Sequence, residues 1–146
     1  MKVTVLPIIG WREWVNLPDL SIVAVKAKID TGARSSALHA FAIQSFYIDG
    51  REMIRFHVHP YQRDDDYILT AEAPVLDWRQ VRNSGGISEE RPVIVTTIEL
   101  GQTSCTIELT LTNRDVMGFR MLLGREAIRN RFLVHPGRSF LLGNRQ

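Results

Sequence analysis

The sequence predicts a mostly-β fold of the barrel or sandwich type, built as one domain over residues 1–146. Three observations carry this. The dominant hydrophobic period is two, turn signals separate the alternating runs at short intervals, and only one segment has the composition of a helix. Side chains spaced by two share one face of a strand, so an apolar/polar alternation marks a strand with one face buried.

The elements follow in chain order. Leu17-Pro18-Asp19 is an early break. Beyond it Val25, Ala27 and Ile29 alternate with Lys26 and Lys28, a half-buried strand that ends at Asp30. Asp49-Gly50 predicts a two-residue type I′ hairpin, in which both central residues take positive φ. Ile54, Phe56 and Val58 alternate with Arg55, His57 and His59. Gly101-Gln102 marks another hairpin tip, followed by the clearest alternation in the chain. There Cys105, Ile107, Leu109 and Leu111 interleave with Thr106, Glu108, Thr110 and Thr112. The apolar run Met121-Leu122-Leu123 leads into Gly124, and residues 124–132 are rich in helix formers, enough for about two turns. Pro136-Gly137 reads as a last hairpin tip.

Composition narrows the function classes. With 146 residues, 45% hydrophobic and 23% charged, the chain can bury its own core, which excludes a disordered or low-complexity protein. The net charge of +2 is dispersed over Lys26, Lys28, Arg79, Arg82 and the stretch from Arg114 to Arg131, with no basic block to track a nucleic acid. No apolar stretch approaches the length that spans a bilayer. The short run Met1–Ile9 is broken by Pro7 and lacks a secretory pattern, so the expected location is the cytoplasm. Cys105 is the only cysteine, which removes intrachain disulfides and paired-cysteine zinc sites.

The chemistry converges on Ile29-Asp30-Thr31-Gly32-Ala33, where an apolar strand delivers a carboxylate into a turn closed by glycine. Alone, that tripeptide describes a strand-end turn whose Asp accepts backbone hydrogen bonds. The run 121–125 later in the chain, apolar residues into a glycine and then a short helix, makes it one part of a constellation. His57 and His59 fall on one strand face and are weak metal candidates, because a zinc site needs a third ligand and no His-Glu-x-x-His run is present. His39 and His135 read as structural, Cys105 as a core position, and Asp64-Asp65-Asp66 as a solvated loop without calcium-loop spacing. No glycine-rich phosphate loop appears, so no cofactor is expected and ATP binding by this chain is not.

Residues 30–33 and 121–125 resemble the two defining motifs of retropepsin-type aspartic proteases. More closely, the chain resembles a bacterial group of retropepsin-like fold often labelled "ATP-dependent zinc protease". The matching blocks are residues 10–14, 28–40, 57–60, 91–94, 111–115 and 119–126. The resemblance implies a closed acid-protease β-barrel with one short helix after Gly124 and with Asp30 at the base of a cleft. Catalysis would fall to Asp30, Thr31 and Gly32, with Thr31 locking the loop. Asn83–Ser88, with Gly85, Gly86 and Ile87, would be either the flap or an ordinary exposed loop. Residues 40–75 have no counterpart in compact viral members. The family's association with ATP-grasp glutamate ligases implies such a ligase as a functional partner.

An aspartic mechanism needs two carboxylates sharing one proton, and the chain has one Asp-Thr-Gly loop. The second Asp30 must then come from a homodimer. The expected activity is hydrolysis of a peptide or a polyglutamate-like amide by an Asp30/Asp30 dyad. A non-catalytic module that binds a peptide or partner, and a zinc-dependent hydrolase, are the competing readings.

Overall fold

The computed structural model describes residues 5–61, 64–83, 85–114, 116 and 118–142. Its strands are β1 (Ile8–Ile9), β2 (Arg12–Leu17), β3 (Ile22–Asp30), β4 (Ser36–His39), β5 (Phe41–Ile48) and β6 (Arg51–Val58). They continue with β7 (Leu69–Pro74), β8 (Asp77–Arg82), β9 (Ser88–Leu100), β10 (Thr103–Thr112), β11 (Met121–Gly124) and β12 (Leu133–Val134). One helix, α1 (Arg125–Ile128), follows β11, and a 3-10 turn at Pro18–Leu20 forms the break after β2.

Six strands close into a barrel in the order β10-β4-β11-β3-β2-β9, and the antiparallel pairing of β9 with β10 completes the ring. Closure leaves none of the six with an unpaired edge facing solvent along its paired length. β8 hangs from the first half of β9 as a hairpin, with Arg82 opposite Ser88. The stretch 40–75, expected as an insertion, is largely a separate antiparallel sheet in the order β5-β6-β7. Its inner residues Ile54, Phe56 and Val58 belong to the same buried cluster as Val25, Leu38, Ile98, Leu109 and Leu123 of the barrel. Each such side chain contributes about 1.5–3 kcal/mol by leaving water.

The turns follow the sequence reading at Asp49 and Gly50, whose φ values of 50° and 80° are those of a type I′ hairpin. Gly101 likewise sits at 62° between β9 and β10. In three places the structure departs from expectation. The helix is a single turn over Arg125–Ile128, because residues 129–131 turn instead and Phe132 is drawn into the core. The polar face of β10 is not solvated at its end, where Thr110 and Thr112 are buried beneath side chains from β9. Pro136-Gly137 does form a turn, closed by Arg138 N–H on the His135 carbonyl at 3.2 Å, but not a hairpin. The chain after it keeps following the N-terminal segment: Trp11 N–H donates to Arg138 O at 2.8 Å and Phe140 N–H to Arg12 O at 3.0 Å.

Two features make this clasp possible. A Cβ on Gly10 would collide with the Arg138 carbonyl and lie 2.8 Å from Ser139 Cα. Glu13 faces inward with Val15 and Leu17 and is fully buried. Its Oε2 accepts N–H bonds from Gly10 and Leu141, each at 2.7 Å, and its Oε1 accepts one from Leu142 at 3.1 Å. Trp14 stacks on Phe140 at 5.3 Å over the same junction.

Glu13→Ala is therefore expected to lower unfolding free energy by about 2–4 kcal/mol, since it strands buried donors. Glu13→Gln, which keeps an acceptor, should cost less. Urea denaturation of the two variants measures the difference, and equal losses would contradict the capping role.

Candidate active site

Asp30 is the last residue of β3, and the strand that fixes it is β11. β11 runs parallel to β3, with Gly124 opposite Asp30, and antiparallel to β4 on its other side. It is thus threaded between the two strands that flank the Asp-Thr-Gly loop. The loop is then stitched to the start of α1. Arg125 N–H donates to Ala33 O at 2.7 Å, Glu126 N–H to Arg34 O at 3.1 Å, and Arg125 Nη1 to Thr31 O at 3.1 Å. Gly124 N–H donates to Ser36 Oγ at 3.0 Å.

Within the loop, Asp30 Oδ1 accepts the amides of Gly32 at 2.9 Å and Ala33 at 3.2 Å. This orients the carboxyl plane while leaving the half-buried Asp30 reachable from solvent. Thr31 and Gly32 are exposed at the loop's outer surface. Lys28, two residues earlier on β3, shares the strand face of Asp30. A cavity of about 270 Å³ opens next to the loop's continuation, lined by Arg34, Ser35, Arg79, Glu108, Glu126 and Arg131 among others. Arg79 pairs there with Glu108 at 2.6 Å.

Gly85, Gly86 and Ile87 lie at the exposed tip of the β8–β9 hairpin, and Gly86 has φ of 81°. Ser84 of that tip and Asp115 of the 111–115 block lie outside the described residues. Asn83 organises the tip: its Oδ1 accepts from Gly85 N–H at 2.9 Å and Ile87 N–H at 3.1 Å.

The histidines stand elsewhere. His57 and His59 flank Phe41, with ring centroids 5.5 and 4.6 Å from it, and His39 stacks on His59 at 6.4 Å. His57 Nδ1 lies 3.1 Å from Thr70 Oγ1, and His59 Nδ1 lies 3.3 Å from Tyr67 O. This donor set does not fit a zinc ion: the rings face aromatic neighbours, and no three His, Cys, Asp or Glu groups converge among the described residues. The acidic run is anchored rather than merely solvated. Asp64 Oδ1 caps the amide of Asp66, and Asp65 pairs with Arg120 at 2.6 Å, which holds the Asp65 carboxyl below its usual range. Cys105 packs half-buried against the core, and burial pushes its thiol upward, away from nucleophilic use.

Sequence reasoning missed Glu13, Glu89 and Arg91. Glu13 had a legible signal, a carboxylate in the apolar phase of an alternating strand.

The family model of "Retropepsin-like aspartic endopeptidase RimB" matches residues 8–145. A protein of Parasynechococcus marenigrum named "Probable alpha-L-glutamate ligase" is 52% identical over 94% of this chain, which covers 29% of that protein. One of Shewanella pealeana with the same name is 48% identical over 94% of this chain, which covers 30% of it. The chain thus spans about 30% of the length of these curated relatives. A crystal structure of a Legionella pneumophila protein of unknown function superposes with a TM-score of 0.74 at 31% identity, covering 93% of this chain and 98% of that one. No helix among the described residues is long and apolar enough to cross a membrane.

Chelation by EDTA is expected to leave the thermal midpoint and any hydrolysis by this chain unchanged. Activity that disappears on chelation and returns only with zinc would contradict this reading of the histidines.

Proposed function

Since the chain belongs to the family of the retropepsin-like aspartic endopeptidase RimB, we propose that it is an aspartic peptidase whose site is completed by a second copy across a two-fold axis. The observation that carries this is the Asp30 loop itself. Its carboxylate is oriented by two backbone amides and sits on a strand held by a threaded partner. One chain supplies one such loop, and an isologous pair brings two together. Thr31 is exposed and so available to lock the two loops in such a pairing.

In that dimer the ionised Asp30 takes a proton from water as the oxygen attacks the amide carbonyl. The protonated Asp30 of the second copy donates to the carbonyl oxygen, and protons return to the leaving amine as the tetrahedral intermediate collapses. The mechanism needs one of the two carboxyls protonated, so activity should favour acidic pH. The β8–β9 hairpin would serve as the flap, excluding water over the bound chain.

The substrate we propose is an acidic, polyglutamate-like amide. Support comes from Lys28 on the strand face of Asp30 and from Arg34, Arg79 and Arg131, which outnumber Glu108 and Glu126 around the adjoining cavity. The name shared by the relatives supports a functional link to a glutamate ligase of the ATP-grasp type. The single Asp-Thr-Gly loop per chain also supports a second reading, a non-catalytic module that binds such a peptide or a partner without cutting it.

Two measurements separate these. Asp30→Asn preserves size and much of the hydrogen bonding, yet removes the ionisable group from both halves of the dyad. Hydrolysis of an oligoglutamate peptide should fall by at least the roughly 10²–10⁴-fold that acid–base help supplies. A folded Asp30→Asn protein with wild-type turnover would falsify the aspartic mechanism. Wild-type specific activity should also decline on dilution through the dimer dissociation constant, followed with light scattering. Constant activity from a proven monomer would exclude the shared dyad.

A further inference from the structure

The ladder between β9 and β10 ends at Val93 opposite Thr110. Beyond that point the strands part. β9 residues 88–92 pair only with β8, while β10 continues along β4 as far as Thr112 opposite His39. A fork opens where the hairpin leaves the barrel, and backbone hydrogen bonds to β10 no longer restrain the hairpin there.

A cluster of charged side chains fills the fork. Glu89 Oε1 accepts from Arg91 Nε at 2.6 Å and from Thr112 Oγ1 at 2.5 Å, and its Oε2 accepts from Arg114 Nε at 2.8 Å. Arg91 Nη1 reaches Thr110 Oγ1 at 3.4 Å, and that hydroxyl donates to Ser36 O at 3.0 Å. Ser36 Oγ in turn receives the amide of Gly124, the residue opposite Asp30. A continuous polar path thus runs from the root of the hairpin to the strand that orients the candidate catalytic carboxylate. The Arg91 side chain is only 7% exposed and that of Glu89 21%, so water competes weakly for these bonds. Burial pushes the Glu89 carboxyl up, but the hydrogen bonds from Thr112, Arg114 and Arg91 outweigh it and hold the group below its usual range. The cluster therefore stays ionised in mildly acidic solution, where an aspartate dyad works.

Among the described residues of the hairpin tip, Gly85, Gly86 and Ile87 are all fastened to Asn83. We propose that Glu89 and Arg91 are positioning residues that set where this tip stands relative to Asp30, by bridging the fork between β9 and β10. The proposal rests on the peptidase reading for its kinetic consequence, though not for its mechanical one. Two guanidiniums on one carboxylate define a single geometry. Lysine at 91 cannot reach Glu89 and Thr110 together as the guanidinium does, and glutamine at 89 lacks the charge that holds both arginines.

The test uses Glu89→Gln and Arg91→Lys in the full chain carrying Cys105→Ser and a trifluoromethyl label on Ile87→Cys, a tip position that is 57% exposed. Fluorine NMR reads tip position without any catalysis, and steady-state hydrolysis of an oligoglutamate peptide is measured alongside. The expected result is one tip resonance in the parent and a second in each variant. KM should rise roughly tenfold while kcat changes far less, because a misplaced flap weakens substrate binding before it touches the dyad. Removing the comparable exposed pair Arg55–Glu72 should move neither readout. An unchanged resonance and unchanged KM, with only a lower melting temperature, would reduce the cluster to a structural role and overturn the proposal. If either variant does not fold, Arg114→Gln, which removes only the more exposed arm, carries the same two readouts. Should the parent hydrolyse no peptide, the peptidase reading fails, and the resonance alone then decides for or against the bridge.

Discussion

The constraint on which the molecule depends is the narrow slot at Gly124. β11 must pass between β3 and β4 while the loop joining those two strands folds back over its end. A Cβ at Gly124 would collide with the Ser35 carbonyl, lying 2.6 Å from its carbon and 3.0 Å from Ala33 O. Its absence brings the loop's carbonyls within reach of the amides of Arg125 and Glu126. From that contact follow the start of the helix at Arg125, the anchoring of the loop that carries Asp30, and the place of Ser36 between β11 and β10. A single missing methyl group thereby organises the crossing, since protein interiors leave no slack for even one extra carbon.

Much of this was legible in the residues, and the reasons differ by element. The alternation in β3, β6 and β10 identified strands because side-chain period is a local property, and Asp49-Gly50 identified its turn because φ preference is local too. The Asp-Thr-Gly loop and the Gly124 run were readable as a pair through family resemblance, and their meeting is now visible as register between Asp30 and Gly124. What stayed hidden is non-local. Nothing near Pro136-Gly137 says that the chain beyond it will keep following Trp11 and Arg12, because the cause, Glu13, lies more than a hundred residues away. The helix was overestimated for the same kind of reason. Residues 129–131 have helical propensity, but burial of Phe132 required a turn.

Buried charge divides the labour in an informative way. Glu13 is satisfied by backbone amides and holds covalently distant segments of one chain together. Glu89 is satisfied by two arginines and a hydroxyl, and it stands where the backbone ladder has run out. Ion pairs at exposed positions such as Arg55–Glu72 contribute little to stability. The half-buried ones define geometry instead, because the loss of one partner strands the other. Of the arginines that line the cavity, Arg34 is the exposed one, whereas Arg79 is held by Glu108 and Asp77 and Arg131 by the carbonyls of Glu126 and Ala127.

The threading of β11 also imposes an order in time. The hairpins β5–β6 and β9–β10 join neighbours in sequence and can zip within microseconds of collapse, whereas β11 must find β3 and β4 across most of the chain. On the ribosome, Asp30 emerges before its supporting strand. Until Met121–Gly124 has been synthesised and inserted, the carboxylate stands on a strand with nothing between it and β4. A nascent or truncated chain would therefore carry the candidate nucleophile-activating group without its aim. The fold thus makes the candidate site depend on a strand drawn from far along the sequence, so that a polypeptide cut before Met121 carries the loop without its frame.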